Sequence, residues 1–239
     1  MHGDGPGRIP LWNGIFTKPT PPWITAGALC LAGCAGCINA VGFLGAQHQA
    51  LSHMSGTVTN LGIELGLADR ALAWRAFVVL GSFFLGCVAS GLIIRQSTLK
   101  LGRRYGVALV LESLLLFAAV WFFHRDATDT GDYLAAMACG LQNAMATGYS
   151  GAVIRTTHVS GIITDLGIAV GLFARRQPVD WRRIRLYLVL LVGFLSGGVI
   201  GAVAFVRLNY GTLLIPAVIT GVVGLGYGTY RHFYPHAWE

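Results

Sequence analysis

His53-Met-Ser-Gly-Thr-Val-Thr-Asn-Leu-Gly-Ile-Glu-Leu-Gly66 recurs 105 residues later as His158-Val-Ser-Gly-Ile-Ile-Thr-Asp-Leu-Gly-Ile-Ala-Val-Gly171, with eight of fourteen positions identical. The similarity extends outward with small gaps. Gly36, Asn39 and Ala40 match Gly140, Asn143 and Ala144; Trp74-Arg75 matches Trp181-Arg182; Arg95 matches Arg207. Self-similarity of this extent reads as one unit and its duplicate. Each copy sits in a short apolar stretch, His53–Ala68 and His158–Ala174. At 1.5 Å per residue these reach roughly 25 Å, marginal for a full crossing of a bilayer and comfortable for a tilted, broken or re-entrant helix.

The surroundings of the two copies make the solvent clear. Of the 239 residues, 54% are hydrophobic and 11% charged, against roughly 25% charged in a soluble domain. Trp23–Ala46, Ala76–Ile94, Tyr133–Ile154, Leu186–Val206 and Leu208–Tyr230 run without an Asp, Glu, Lys or Arg, and Tyr105–Phe123 is interrupted only by Glu112. Each is long enough to span hydrocarbon, and the 33 glycines allow helices to approach closely in lipid. The expected fold is an all-α polytopic membrane bundle of two internal repeats. Each repeat has three spans plus one short broken or re-entrant helix; four spans per repeat is the alternative. The organisation expected is a disordered cytoplasmic lead (1–22), a first repeat (23–124), an acidic connecting loop (125–132), a second repeat (133–231) and a tail (232–239).

The formal charge of +7 does not point to nucleic acid. The basic residues cluster at the ends of apolar runs, as Arg95, Lys100, Arg103 and Arg104, and as Arg175, Arg176, Arg182, Arg183 and Arg185. That is the distribution of cytoplasmic loops. Six spans with the N-terminus inside place 13 Lys/Arg inside and 4 outside, with Asp126–Asp132 outside; eight spans give 11 and 6. The first arrangement inverts one half relative to the other, the geometry that brings two half-helices together near the midplane in many transporters. The cysteines Cys30, Cys34, Cys37, Cys87 and Cys139 all lie in apolar runs, where they read as small packing residues. A secreted disulfide scaffold, a cleaved signal and a lipoprotein anchor are all poor fits.

On a helix, Ser55, Thr59, Gly62 and Gly66 fall along one face, and Ser160, Thr164, Gly167 and Gly171 repeat it. Packing alone accounts for such a row. The neighbouring row adds Gly56, Asn60 and Glu64 in one copy and Gly161 and Asp165 in the other, and polar groups inside a membrane segment usually face a cavity or a partner. The Ser-Gly starts leave backbone N–H groups at a positive dipole end, suited to an anion or polar solute. His53 and His158 open the two segments, and Asn39, Gln142 and Asn143 sit on adjacent spans. Glu64, Glu112 and Asp165 are the candidates for proton coupling. A metal site would need further ligands, which His48, Glu64 and Asp165 supply only if the fold gathers them, and no cofactor is expected.

The paired motifs, His-Met-Ser-Gly-Thr-Val-Thr-Asn-Leu-Gly from His53 and Gly140-Leu-Gln-Asn-Ala with Arg155-Thr-Thr-His-Val-Ser-Gly, resemble the YoaK-like family of bacterial multi-pass inner-membrane proteins. The resemblance runs from about residue 25 to 230. It implies a bacterial inner-membrane location and duplicated halves, and it implies no activity. The function the residues favour is a transporter or channel for a small polar or anionic solute, with the lipid bilayer and that solute as partners and a homo-oligomer left open. A membrane scaffold or sensor subunit is the alternative. An intramembrane enzyme is a weaker reading, because no catalytic motif appears.

Overall fold

The computed structural model describes residues 22–46, 48–94, 104–150 and 156–233. The expected lead, the basic loop from Arg95 to Arg103, the Arg155 end of the second motif and most of the tail therefore lie outside the described residues. Those described form α1 (Pro22–Leu44), α2 (Met54–Gly66), α3 (Arg70–Ile93), α4 (Arg104–Phe123), α5 (Thr128–Ser150), α6 (Val159–Ala174), α7 (Trp181–Leu208) and, after a 3-10 turn at Asn209–Leu213, α8 (Leu214–Phe233). Two starts are written into the sequence as N-caps. Asp69 accepts from the backbone N–H of Ala71 and Leu72 ahead of α3, and Asp180 from Arg182 and Arg183 ahead of α7. These caps correct one detail of the sequence alignment: Trp181 is the first residue of α7 whereas Trp74 is the fifth of α3, so the two tryptophans do not hold the same helical position.

Pro22–Leu44, Arg70–Ile93, Arg104–Phe123 and Trp181–Tyr230 are long and apolar enough to cross a membrane. The last of these contains both α7 and α8. The expected span at Tyr133–Ile154 falls on α5, which is long but carries Asp129 and Asp132 in its opening turns and does not meet the same standard of apolarity. The bundle is apolar outside, as lipid contact requires: Phe84, Leu92, Leu195 and Val206 are exposed, while Glu112 and Gln142 are fully buried.

The packing partners fix the direction of each long helix. Leu29, Gly33 and Cys37 of α1 meet Gly193, Gly197 and Gly201 of α7 in turn, so α1 and α7 run the same way. Arg75 pairs with Asp129 at 3.0 Å near the starts of α3 and α5, and Gly86 lies against Met137 and Leu141 further along, so these two also run together. Phe123 covers Gly131, which turns α5 back along α4. Gly106 packs on Gly224 while Ser113 Oγ donates to the Ala217 carbonyl at 2.6 Å, so α8 runs opposite to α4. Ile24 groups with Tyr105, and Ile38 with Leu116, which sets α1 parallel to α4.

Thus α1, α4 and α7 run one way and α3, α5 and α8 the other. The end of α1 and the start of α3 lie at one end of the bundle, the end of α5 and the start of α7 at the other. Neither α2 nor α6 runs through: each begins inside and returns to the end from which the chain entered. Eight through-running helices would need α1 and α3 to be parallel, and they are not. Both crossings between early and late helices depend on glycine. A Cβ on Gly36 would strike the Phe194 carbonyl and one on Gly197 the Gly33 carbonyl; a Cβ on Gly140 would strike the Phe83 carbonyl and one on Gly86 the Met137 carbonyl.

Candidate functional site

The chain leading into α2 is held to α1 by side chains named from the sequence and by one that was not. Asn39, buried in α1, accepts through Oδ1 from the Ser52 hydroxyl at 3.2 Å and from its N–H at 3.4 Å. Asn39 is five residues before the end of α1, so this tie holds the chain about 7–8 Å inside the bundle. The return passes over Gly42, where a Cβ would fall 2.7 Å from the Leu51 side chain. Gln49 Nε2 donates to Thr57 Oγ1 at 3.4 Å, and Thr57 is the buried residue of α2. His53 stands at the N-cap without capping through its side chain; its ring meets Phe194 of α7 edge-on at 5.6 Å.

The chain leading into α6 makes fewer such bonds. Thr156 and Thr157 are buried ahead of α6, and Ile162 occupies the position of Thr57 as the buried residue of that helix. Asn143 Oδ1 and Thr156 Oγ1 are buried with no hydrogen-bond partner, so the Asn39–Ser52 tie has no counterpart here. His158 is the N-cap, again without a side-chain cap bond. Its ring folds over Gly161, whose missing Cβ makes the room.

His53 meets Phe194 of α7, and Ile162 groups with Leu186, Tyr187 and Leu190 of the same helix, so the starts of both short helices lie along α7. Ser55, Gly56 and Ser160 are exposed there, as are Thr59, Asn60 and Thr164 one turn on. The two threonines behave alike: Thr59 donates to the Ser55 carbonyl and Thr164 to the Ser160 carbonyl, each at 2.9 Å. Glu64 is half-buried. Asp165 accepts from the Tyr187 hydroxyl at 2.7 Å. Gly62, Gly66, Gly167 and Gly171 face open space, so the small-residue rows do not serve helix packing among the described residues.

Two predicted residues lie elsewhere. Gln142 is fully buried and donates through Nε2 to the Leu31 carbonyl of α1 at 3.1 Å, while its Oε1 has no partner. Glu112 is fully buried in α4, and neither carboxyl oxygen has a hydrogen-bond partner. These two belong to the interior between α1, α4 and α5, not to the short-helix starts. Among the described residues no three His, Cys, Asp or Glu side chains gather in a way that could hold a metal ion. The reading of the sequence missed Ser52, Phe194 and Tyr187. Ser52 and Tyr187 were polar groups beside or within apolar runs, which is a usable signal; Phe194 among aliphatic neighbours carried none.

At the acidic start of α5, ahead of its apolar stretch, Asp132 is buried. Burial and the neighbouring Asp129 push its carboxyl up to about 7, with Arg75 acting the other way. No solved structure matches the chain. It is 24% identical over 198 residues to the UPF0700 transmembrane protein YoaK of Bacillus subtilis (strain 168), across 80% of this chain and 87% of that protein. Residues 27–226 match the family model described as "Protein of unknown function (DUF1275)", and with the match covering both short helices and all six long ones, the chain belongs to that family of membrane proteins.

Proposed function

We propose that this chain moves a small polar or anionic solute across the bilayer, as a transporter or channel, and that the starts of α2 and α6 form the site near the midplane. The observation that carries this reading is the placement of two helix N-termini along one helix, α7, with His53 against Phe194 and Ile162 among Leu186, Tyr187 and Leu190, neither start capped by its own His side chain. Backbone N–H groups at such starts favour an anion or a polar oxygen. The solute site comprises His53, Ser55, Gly56, Thr59 and Asn60 from one helix and His158, Ser160, Gly161, Thr164 and Asp165 from the other, with Asn39 holding the first in place.

The halves are inverted copies in this proposal. The glycine crossings support it, since Gly33 and Gly36 correspond to Met137 and Gly140 at an offset of 104, and Phe83 and Gly86 to Phe194 and Gly197 at 111. The α1–α7 crossing thereby exchanges with the α5–α3 crossing, as a two-fold axis in the membrane plane requires. The caps Asp69 and Asp180 share the offset of 111. The location proposed is the bacterial inner membrane with the N-terminus cytoplasmic, so an impermeant label at Asp129 reacts from outside.

Flux of candidate anions and polar solutes into proteoliposomes tests the site. Gly161→Leu and Asp165→Ala are expected to abolish flux while the protein stays folded; unchanged flux defeats the assignment. One observation favours the second reading, a scaffold or sensor subunit: the glycine rows of α2 and α6 stand open and offer close approach to a second copy or another membrane helix. Co-purification of a stoichiometric partner without solute flux selects that reading.

A further inference from the structure

Glu112 has no role in the short-helix site, and its surroundings give it one of its own. It is fully buried, and both carboxyl oxygens lack partners. Its titratable neighbours are thiols: Cys30 of α1 acts on it, and it acts on Cys34 of α1 and Cys139 of α5. On the α8 side, Gly221 packs against Ser113, and Ser113 spends its hydroxyl on the Ala217 carbonyl. A bare carboxylate in such a place costs several kcal/mol. A neutral acid costs less and supplies an O–H donor. Gln142 Oε1, on the α5 face three residues beyond Cys139, is buried and lacks a donor.

A cavity of about 390 Å³ runs beside this cluster, lined among others by Cys30, Leu31, Leu109, Met145 and Thr156. Leu109 is one helical turn before Glu112 on the same face, and Cys30, which lines the cavity, is also the group acting on the acid. A second unpartnered polar atom, Thr156 Oγ1, belongs to the cavity wall.

We infer that Glu112 is an occluded proton-exchange site: in this conformation its buried carboxyl holds a proton, and it exchanges that proton with solvent by way of the cavity that Cys30 and Leu109 line. Binding adds one proton to the carboxylate and release returns it to water, with no other reactant. Use of that proton to drive a solute rests on the transport reading above; the exchange itself does not.

Dicyclohexylcarbodiimide tests this on the purified full-length protein, because this lipophilic reagent adds whole to a protonated carboxyl. Mass spectrometry is expected to find the adduct on Glu112, with labelling that falls as pH rises and is lost in Glu112→Gln. Cys30→Leu is expected to slow labelling. Infrared spectra are expected to show a protonated-carboxyl carbonyl band that is absent in Glu112→Gln, present in Glu112→Asp and lost at alkaline pH in the parent protein; this reading needs no reagent access. The inference is overturned if the band is missing, or if band and labelling are the same from acid to alkaline pH, which marks a fixed structural acid. Absence of flux in the parent protein with labelling intact counts against the transport reading, and flux without a pH-responsive Glu112 counts against this one.

Discussion

Replacing Gly197 by alanine places one methyl group where α7 crosses α1. The added carbon lies 2.6 Å from both the carbonyl carbon and the Cα of Gly33 and closer still to its oxygen. Ordinary contact begins near 3.4 Å, so the helices must part by at least about 0.8 Å to clear the carbons and by more to clear the oxygen. Backbone stands on both sides of the clash, and no side chain can swing away. A gap of 0.5–1 Å forfeits a quarter to a half of each van der Waals contact along the seam, and overpacking costs roughly 1–3 kcal/mol. At the top of that range the loss is about 3 kcal/mol. Alanine's better helix propensity returns at most about 1 kcal/mol, leaving a net cost near 2 kcal/mol, or about 4–8 °C in melting temperature at 2–4 °C per kcal/mol. Thermal unfolding of the purified protein in detergent, followed by intrinsic fluorescence, reads this directly. Gly167→Ala is the control, because its Cβ enters open space and is expected to leave stability level or raise it by up to about 1 kcal/mol. Gly86→Ala, at the other crossing, is expected to match Gly197→Ala. An unchanged melt for Gly197→Ala refutes the close approach of α1 and α7.

Asp132, with its carboxyl pushed up to about 7 from 3.8, binds its proton more tightly folded than unfolded. The protein is expected to lose stability as pH rises between those values, by a few kcal/mol in all; Asp132→Asn removes that slope, and equal pH profiles for the two proteins contradict the burial. Asp69→Ala and Asp180→Ala each remove an N-cap and are expected to cost about 1 kcal/mol by chemical denaturation, independently of each other. Tyr187→Phe deletes the donor to Asp165 and is expected to cost about 1 kcal/mol; a thermal shift no larger than that of a surface substitution shows the bond to be idle.

Much of this architecture was legible because a membrane leaves few alternatives. Uncharged runs of about 20 residues must be helices, and the duplicated His-x-Ser-Gly motif marked the two places where the run was too short to cross. The same logic weakened at α5. Its acidic start and internal Gln142 and Asn143 lower its apolarity, yet Arg75 meets Asp129 and Leu31 takes up Gln142, which no local pattern reveals. Asn39 was legible as a polar group near the motif, but the sequence could not say that it binds Ser52 instead of facing solute. Gln142 and Asn143 are adjacent in sequence, and helical geometry points them about 100° apart. The first therefore reaches the Leu31 carbonyl of α1, while the Oδ1 of the second has no partner. Glu112 stood out as the single charge in its run, and its isolation persists in three dimensions.

The partnership of α1 with α7 reaches back to the birth of the chain. Gly33 waits for Gly197, 164 residues downstream, and at 5–20 residues per second a nascent chain needs roughly 8–33 s to deliver it. Throughout that interval the glycine-lined groove of α1 faces lipid or an insertion chaperone. A gene cut between α4 and α5 therefore yields two fragments, each of which lacks the mates for its own best surface. Co-translation of both halves in one cell restores what neither attains alone.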